Sequence, residues 1–279
     1  MAGPVDSYAV MGNPIEHSKS PRIHALFAAN TGQAIRYSPI RVEIDGFSKA
    51  VDAFFENGDL GLSITLPFKE EAWQLAEVRT SRAEKAGAVN TLWQGAQGHL
   101  HGDNTDGLGL VSDLMRNHQV VITGKRVLVL GAGGAVRGVL EPLLAEKPKE
   151  LVIANRTLSK AETLVNMFPD RSVTACDFQD LQGSFDIIIN GTAASLQGEI
   201  PPVPDVCVTS DTCSYDMMYG AKPTVFNQWA KKLGAHKTID GLGMLVEQAA
   251  EQFAIWRGVR PETAEVLALL RKELEGATS

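Results

Sequence analysis

The sequence predicts an α/β protein with two lobes, the second of which contains a doubly wound parallel sheet. The chain has 279 residues, 44% of them hydrophobic, which is enough to form the buried cores of two ordinary domains. Short apolar segments alternate with amphipathic helical segments along most of the chain. The alternation becomes most regular after residue 125, which is typical of a parallel sheet with crossover helices.

The first lobe is predicted from strands and helices that alternate before that point. The strands are expected at residues 7–11 and 61–66, and the helices at residues 20–29 and 45–56. In the second helix, Phe47, Val51, Phe54 and Phe55 recur at helical spacing. We therefore expect one face of this helix to be buried against a sheet.

The second lobe is predicted from a more regular series. The strands are expected at residues 127–130, 151–154, 172–175 and 185–190, with helices at residues 135–146 and 159–168. This order predicts a parallel sheet with helices on its faces. Two amphipathic helices follow at residues 243–257 and 262–274, separated by Gly258 and Pro261. Their pattern alone allows them to pack on either lobe.

A glycine-rich turn follows the first strand of the second lobe, within the segment KRVLVLGAGGAVR at residues 125–137. Gly131 and Gly133 let the backbone turn tightly and approach a pyrophosphate at the amino end of the helix that starts near Ala135. Val136 replaces the third glycine of the usual G-x-G-x-x-G spacing, so the fingerprint is incomplete. The segment still predicts a dinucleotide site of the Rossmann type.

The end of the next strand indicates which dinucleotide binds. Where an NAD enzyme places an acid against the ribose 2′-hydroxyl, this chain has Asn155, Arg156 and Thr157, with Lys160 one turn on. Arg156 can hold a 2′-phosphate in a fork and Lys160 can add a point charge, whereas an acid would repel it. We therefore expect NADP. The alternative is a surface strand end whose Thr157 and Ser159 cap the next helix.

Composition argues against several other classes of protein and site. The net charge is −7 and the cations are scattered, so no nucleic-acid partner is expected. No apolar run approaches the length of a membrane span and residues 1–6 do not resemble a signal peptide, so we expect a cytoplasmic protein with no membrane partner. Cys176, Cys207 and Cys213 form no CxxC pair and are expected to be reduced, mostly buried thiols. The histidines lack the spacing of zinc ligands, so no metal is expected.

Lys69 is the first candidate for chemistry, because hydride transfer needs an acid or base beside the reacting oxygen. In TLPFKEE at residues 65–71, Pro67 is expected to open a helix with Lys69 in its first turn. A cation there opposes the helix dipole by about 0.3–1 kcal/mol at exposed sites. The dipole favours the neutral amine and would ease proton exchange. A solvated lysine without a function is the alternative.

The segment GDNTDG at residues 102–107 places several polar side chains directly before a predicted helical run at 108–116. One helix cap needs one side chain, so the others are unexplained by capping. We place the junction of the two lobes near Asp106, and a cleft between domains is where a ligand is expected. The plain alternative is a helix start with several capping residues.

The segment HSKSP at residues 17–21 also has more polar side chains than a helix cap needs. Ser20 and Pro21 suit an N-cap and a first helical turn, which leaves Ser18 unexplained. Two hydroxyls so close can hold a carboxylate or a polyol. A polar approach to a helix remains the alternative.

Together these motifs resemble the shikimate dehydrogenases over nearly the whole chain and in the family's order. They are YAVMGNP at 8–14, HSKSP at 17–21, LPFK at 66–69, GAVNT at 87–91, GDNTDG at 102–107, NRT at 155–157 and DGLGML at 240–245. The resemblance implies a substrate domain at residues 1–105 and a Rossmann-type NADP domain at 106–241. It also implies that C-terminal helices at 242–279 pack back on the substrate domain.

The resemblance also implies roles for individual residues, with Lys69 and Asp106 as the catalytic pair. The positions that match substrate-binding residues are Ser18 and Ser20 for a carboxylate, Thr65, Asn90 and Gln248 for ring hydroxyls, and Tyr219. The positions that match NADP-lining residues are Gly131, Ala132, Gly133, Gly134, Ala135, Asn155, Arg156, Thr157, Lys160, Met217 and Gly241. Two positions depart from many relatives, which have arginine at Lys160 and an acid at Ser81.

The activity implied is reversible NADPH-dependent reduction of 3-dehydroshikimate to shikimate on the route to chorismate and the aromatic amino acids, by a monomer or homodimer. Lys69 would exchange the proton, and Asp106 would orient Lys69 and a substrate hydroxyl. An NAD-dependent quinate/shikimate dehydrogenase is an alternative, against which Arg156 argues. A non-catalytic NADP-sensing module would not need the Lys69 and Asp106 pair, and a folate dehydrogenase of similar build would lack the serine pair.

Overall fold

The computed structural model describes residues 5–169 and 171–276, and the chain divides into two units, both of the predicted α/β class. The first unit contains the chain up to Gly109 together with Val246–Val266, and the second contains Leu110–Leu245 and the chain from Leu267. The predicted domain boundaries, after residues 105 and 241, each lie four residues before a division in the structure, after Gly109 and Leu245 respectively. Residues 1–4 and 277–279 of the predicted outer ranges lie outside the described residues.

The first unit is built on a six-stranded mixed sheet with the strand order β2-β1-β3-β5-β6-β4. Its elements are β1 (Asp6–Gly12), α1 (Ser20–Thr31), β2 (Ile35–Arg41), α2 (Phe47–Glu56), β3 (Gly61–Ile64), α3 (Lys69–Leu75), β4 (Val78–Arg79), α4 (Ser81–Ala86), β5 (Thr91–Gln94) and β6 (Leu100–Asp103). β1 runs parallel to β2 and β3, whereas β5 runs antiparallel to β3 and β6.

The predicted apolar face of α2 is confirmed, because Phe47, Val51, Phe54 and Phe55 are all buried. Phe47 stacks on Phe68 with ring centroids 4.7 Å apart, which places this face in the core of the first unit. The predicted helix starts later than expected, because Ile44–Gly46 forms a 3-10 turn before α2. Strand β3 ends at Ile64, two residues earlier than expected.

Helix α5 (Asp106–Ser112) starts in the first unit and continues in the second as a π-helical turn over Asp113–Asn117. The later elements are β7 (Arg126–Leu130), α6 (Gly134–Ala145), β8 (Glu150–Ala154), α7 (Leu158–Val165), β9 (Val173–Cys176), β10 (Ile187–Asn190), β11 (Cys213–Asp216), α8 (Val225–Lys232), β12 (Lys237–Asp240), α9 (Leu242–Arg257) and α10 (Ala264–Gly276).

The sheet of the second unit has the order β12-β11-β10-β7-β8-β9, and all its strand pairs are parallel. This confirms the predicted doubly wound sheet. The chain moves outward from β7 to β9 and then returns to β10 beside β7, so the strand order reverses between these two strands. In such sheets the carboxyl ends of the strands at the reversal point form the ligand crevice.

Helix α10 differs from the expectation that both C-terminal helices complete the first lobe. The chain from Leu267 belongs to the second unit, whereas Val246–Val266 belongs to the first. Arg271 of α10 forms an ion pair with Asp240 and donates to the Gly220 carbonyl at 3.0 Å. An amphipathic pattern shows which helix face is buried but not which surface covers it, so these contacts were not predictable from the helix itself.

Two features of residues 5–169 and 171–276 concern the membrane and metal partners that the sequence argues against. No helix in these ranges has the length and apolar character needed to cross a membrane. Within the same ranges, no three His, Cys, Asp or Glu side chains are placed to hold a metal ion.

The three cysteines are free, and burial raises the pKa of Cys176 to about 11 and that of Cys213 to about 12.

Candidate active site

Lys69 and Asp106 lie together in the first unit. Lys69 is the first residue of α3, as predicted for the first turn, although the helix begins two residues after Pro67. Its Nζ atom donates to Asp106 Oδ2 at 2.6 Å, and the two side chains are 28% and 15% exposed. Asp106 is the first residue of α5, where the helix dipole favours a carboxylate. The result is a partly buried ion pair with access for a further partner.

Asn90 joins this pair to other predicted residues and is almost completely buried. Its Nδ2 atom donates to Asp106 Oδ1 at 2.8 Å and to Thr105 Oγ1 at 3.0 Å, and lies 3.4 Å from Gln248 Oε1. Its Oδ1 atom accepts from the Thr105 backbone N–H at 3.0 Å. Because a carboxylate only accepts and a backbone N–H only donates, the orientation of the Asn90 amide is defined.

The side chains of the polar segment before α5 have different hydrogen-bond partners. Asn104 Oδ1 accepts from the N–H of Asp106, the first residue of α5, at 3.1 Å. Asp103 is buried, forms an ion pair with Arg82 and accepts from Thr80 Oγ1 at 2.6 Å. Asn104 therefore satisfies the first N–H of α5, while the Thr105 and Asp106 side chains accept from Asn90.

The serine pair is arranged differently from the expectation that Ser20 caps α1. Ser20 is the first residue of the helix, Lys19 holds the cap position, and no side chain caps the helix there. Instead, Ser18 Oγ accepts from the Ser20 N–H at 3.3 Å.

Thr65 lies directly after β3, where its N–H donates to the Met11 carbonyl at 3.0 Å. A Cβ atom built on Gly12 would lie 2.4 Å from Thr65 Cγ2. Gly12 therefore leaves the space that Thr65 occupies. Sequence reasoning missed this role, although a glycine at the end of an apolar strand was the available signal.

The glycine turn of the second unit has the geometry expected of a phosphate cradle. Gly131 has a φ of +101°, which favours glycine, and its N–H donates to the Ala154 carbonyl at 2.8 Å. Helix α6 starts at Gly134 with Gly133 at its cap and no side-chain cap. A Cβ atom built on either glycine would meet nothing within 4 Å. Gly133, Gly134 and Ala135 are exposed and Ala132 is half-buried, so a phosphate group fits this open helix end.

The residues after β8 are also placed for a ligand. Asn155 Nδ2 donates to the Thr157 carbonyl at 2.8 Å, while Arg156, Thr157 and Lys160 are exposed. Thr157 holds the cap position of α7, but its side chain makes no capping hydrogen bond, and Ser159 lies inside the helix. The alternative that these two residues are present as caps therefore loses its support.

Met217 and Gly241 lie against each other in the second unit. A Cβ atom built on Gly241 would lie 2.2 Å from the Met217 carbonyl oxygen, so only a glycine fits without a backbone shift. Tyr219 is half-buried in the same unit, and burial, with a smaller contribution from the charge of Asp240, raises the pKa of its hydroxyl. The other predicted substrate residues belong to the first unit.

Three family models match successive parts of the chain. They describe the shikimate dehydrogenase substrate binding domain at residues 10–92, shikimate/quinate 5-dehydrogenase at residues 113–197 and the shikimate 5′-dehydrogenase C-terminal domain at residues 241–271.

Individual relatives match nearly the full chain. A shikimate dehydrogenase (NADP(+)) of Alkalilimnicola ehrlichii is 61% identical over 269 residues, which cover 96% of this chain and 99% of the relative. The crystal structure of an Ael1 enzyme from Pseudomonas putida is 44% identical, with a TM-score of 0.92 over 95% of this chain and 98% of that chain. A Thermus thermophilus shikimate 5-dehydrogenase solved with NADP(H) and shikimate is 28% identical, with a TM-score of 0.86 over 97% and 100% of the two chains. Because a relative of 61% identity spans almost all of it, this chain belongs to the shikimate dehydrogenase family.

Proposed function

We propose that this chain catalyses the reversible NADPH-dependent reduction of 3-dehydroshikimate to shikimate. The observation that carries the proposal is the Lys69 and Asp106 ion pair, in which Nζ lies 2.6 Å from Oδ2. Asn90 donates a hydrogen bond to Oδ1, the other carboxylate oxygen of Asp106. A nucleotide cradle alone would serve a sensing module equally well. A partly buried lysine paired with a carboxylate supplies in addition the acid and base that reduction of a carbonyl requires.

The cofactor would be held by the second unit. The exposed backbone N–H groups at the start of α6 suit the pyrophosphate, and the Arg156 and Lys160 cations suit the 2′-phosphate. Met217 and Gly241 would complete this site. When bound, NADPH supplies the hydride for the reduction.

Lys69 would exchange the proton. As an ammonium group it carries three protons, and Asp106 accepts one of them at 2.6 Å, which leaves two for the substrate oxygen. In the reduction one of these protons moves to the developing alkoxide at C3 and leaves a neutral amine. In the reverse direction the neutral amine takes the proton of the alcohol.

Asp106 would orient this lysine, because both of its oxygens have partners. Oδ2 accepts from Lys69 and Oδ1 accepts from Asn90 at 2.8 Å, so the carboxylate cannot rotate without losing a hydrogen bond. The remaining predicted contacts are the Ser18 and Ser20 hydroxyls for the substrate carboxylate. Thr65, Asn90 and Gln248 would contact the ring hydroxyls, and Tyr219 would also reach the substrate.

The proposed activity is tested by absorbance in the NADPH band when purified protein is mixed with shikimate and NADP⁺. Parallel reactions replace NADP⁺ with NAD⁺ and shikimate with quinate. We expect formation of NADPH with shikimate and NADP⁺ well above the other pairs. Comparable rates with quinate and NAD⁺ would favour the broader dehydrogenase, and binding of NADPH with no turnover of any pair would favour a sensing module.

Two further properties stay predictions from the sequence, namely a cytoplasmic location and a monomeric or homodimeric state. Cell fractionation followed by the same assay would check the first. Size-exclusion chromatography with light scattering would check the second.

A further inference from the structure

Two neighbouring strands of the second unit end on a pair of buried polar residues. Asn190 is the last residue of β10 and Asp216 is the last residue of β11, and the two stand opposite each other in the sheet. Both side chains are fully buried, and Asn190 Nδ2 donates to Asp216 Oδ1 at 3.1 Å. The carboxyl ends of such strands face the ligand crevice, so this carboxylate lies at the edge of the sheet where a ligand is expected.

Asn190 also connects Asp216 to the glycine turn after β7. Its Oδ1 atom accepts from the Thr192 N–H at 3.1 Å and from Thr192 Oγ1 at 2.7 Å. A Cβ atom built on Gly131 would lie 3.1 Å from Thr192 Cγ2, so Thr192 packs on the turn itself. Asp216 is therefore linked, through Asn190 and Thr192, to the predicted phosphate site.

The carboxylate of Asp216 is held by neutral hydrogen-bond donors. Besides Asn190, the Ser195 hydroxyl donates to Oδ2 at 2.6 Å and the Met218 N–H donates to Oδ1 at 3.1 Å. An ionised carboxylate has only acceptors, so this set of donors fits the charged form. Burial raises the pKa of Asp216, and the hydrogen bonds from Ser195, Met218 and Asn190 oppose that shift.

The acid at the end of the next strand is in a different electrostatic situation. Asp240 stands opposite Asp216 at the end of β12, and the Arg271 guanidinium neutralises it in an ion pair. Neutral dipoles stabilise a charge without cancelling it, and the protein interior screens a charge less than water does. The negative field of Asp216 therefore extends into its surroundings at this edge of the sheet.

The place of β11 in the sheet argues that Asp216 belongs to the nicotinamide half of the predicted cofactor site. A doubly wound sheet binds one mononucleotide on each of its two halves, on either side of the reversal point. The cations expected to bind the 2′-phosphate, Arg156 and Lys160, follow β8, so the adenosine half belongs with β7–β9. The nicotinamide half then belongs with the ends of β10 and β11.

Loss of a hydride, which is a proton with two electrons, turns the neutral dihydronicotinamide ring of NADPH into the cationic ring of NADP⁺. We propose that the buried carboxylate of Asp216 makes this site prefer the oxidised cofactor, because its negative charge stabilises the cationic ring and interacts little with the neutral one. The inference rests on the proposed NADP site. Its consequence is that the site favours departure of the hydride from bound NADPH, the direction of the proposed reduction.

The direct test is Asp216→Asn, which keeps the shape of the side chain and removes its charge. The new amide can donate to the Ser195 oxygen, which is also able to accept. Two unit charges about 10 Å apart, at an effective dielectric constant of about 20, change an affinity by about 10-fold. We expect the Kd for NADP⁺ to rise by about that factor while the Kd for NADPH changes little. Isothermal titration measures both without turnover, and equal changes in the two values, or no change, would overturn the proposal.

Asp186→Asn is the matched control for loss of one negative charge from the second unit. Asp186 directly precedes β10, at the opposite end of the same sheet, and accepts from Lys125 Nζ at 3.1 Å. The ratio of the Kd for NADP⁺ to the Kd for NADPH should stay at its wild-type value in this variant. A shift of the ratio as large as that in Asp216→Asn would show an effect of net charge rather than of Asp216, and would also contradict the proposal.

Ser195→Lys tests the same charge with Asp216 in place, and decides the question if Asp216→Asn loses its native circular dichroism spectrum. Ser195 is half-buried in the 3-10 turn Ala194–Gln197. An ammonium group in place of its hydroxyl would neutralise Asp216, so we expect the same loss of preference for NADP⁺. Ser195→Ala removes the hydrogen bond but keeps the charge, and should keep the wild-type ratio. A wild-type ratio in folded Ser195→Lys would refute the role of Asp216.

The titrations also separate failure of this inference from failure of the proposed function. If the wild type binds neither NADP⁺ nor NADPH, the proposed cofactor site is wrong and the inference fails with it. If the wild type binds both but does not oxidise shikimate, the proposed activity is wrong, and the Kd ratio in Asp216→Asn still decides the role of Asp216.

Discussion

Val136 fills the space that Gly191 leaves open, since a Cβ atom built on Gly191 would lie 2.4 Å from Val136 Cγ2. Val136 is fully buried and stands where the usual nucleotide fingerprint has its third glycine. That glycine normally permits close packing of the helix on the sheet. Here Gly191, directly after β10, provides the space instead, which explains how an incomplete fingerprint still places α6 at its strand.

Gly191→Ala is therefore expected to overpack this contact and displace the start of α6. Overpacking of a close-packed core costs about 1–3 kcal/mol, so urea denaturation should show a loss of that size, and NADPH titration should show weaker binding. Adding Val136→Ala removes the opposing methyl group and should recover most of both losses. If Gly191→Ala alone keeps normal stability and normal NADPH affinity, Gly191 does not provide the space for Val136 as described.

Lys69→Ala should reduce turnover far more than it reduces cofactor binding. General acid–base help is worth about 10²–10⁴-fold, so kcat for shikimate oxidation is expected to fall by that factor. The Kd for NADPH should change little, because the cradle residues lie in the other unit. Lys49→Ala, which removes an exposed lysine of α2, is the control, and near-normal turnover in Lys69→Ala would exclude the proposed acid–base role.

Arg156→Ala should alter the choice of cofactor. Loss of a hydrogen bond between a cation and a phosphate costs about 1.5–3 kcal/mol, so kcat/KM for NADP⁺ is expected to fall about 10- to 100-fold while that for NAD⁺ changes little. Steady-state assays with both cofactors measure the ratio. Lys149→Ala removes an exposed cation next to the amino end of β8 and should leave the ratio unchanged. An equal loss for both cofactors would show that Arg156 does not read the 2′-phosphate.

His24→Phe should make the folded protein less sensitive to acid. Burial lowers the pKa of His24 from 6.5 to about 3, and Gln252, which approaches the ring without a well-formed hydrogen bond, opposes this only partly. Between these values the unfolded chain binds a proton that the folded chain does not. The stability contributed by the neutral ring is therefore complete above about pH 6.5 and is lost as the pH falls through this window, by up to about 1.4 kcal/mol per pH unit.

Urea denaturation at pH values from 7 to 4 would measure this slope. The wild type should lose more stability over the range than His24→Phe, which keeps an aromatic ring beside Tyr37 and Phe27. His236→Gln changes an exposed histidine and should follow the wild type. Identical slopes for the wild type and His24→Phe would mean that His24 titrates normally in the folded protein.

The local sequence pattern was sufficient to predict those elements whose buried residues recur at a regular spacing within a short segment. The face of α2, the alternation from β7 to β10 and the position of Lys69 in the first turn of α3 were all predictable. Strand β2 was missed because Pro39 interrupts its pattern, and a proline is tolerated there because β2 is an edge strand. The short strands β4 and β6 offered too few residues for a period to be recognised.

The candidate site was predictable as a set of residue types, while its connections were not. Lys69 and Asp106 were expected to act as a pair, but the way Asn90 holds the second carboxylate oxygen emerged only from the structure. Ser20 was expected to cap α1, yet it is the first residue of that helix, and its N–H donates to Ser18 Oγ at 3.3 Å. Neither Asn190 nor Asp216 was identified from the sequence, because a single buried polar residue on a helix or strand gives no signal of its partner.

The sequence by itself determined the fold class and the choice of NADP, and it predicted a phosphate site at the glycine turn after β7, because periodicity, glycine spacing and the charge after a strand act over a few neighbouring residues. Only the tertiary structure decided which groups far apart in the sequence form hydrogen bonds with each other. The Ser63 and Gln252 side chains are 189 residues apart in the chain and 2.6 Å apart in space. A hydrogen bond depends on distances of a few tenths of an ångström, and these are set by the packing of whole elements rather than by local sequence.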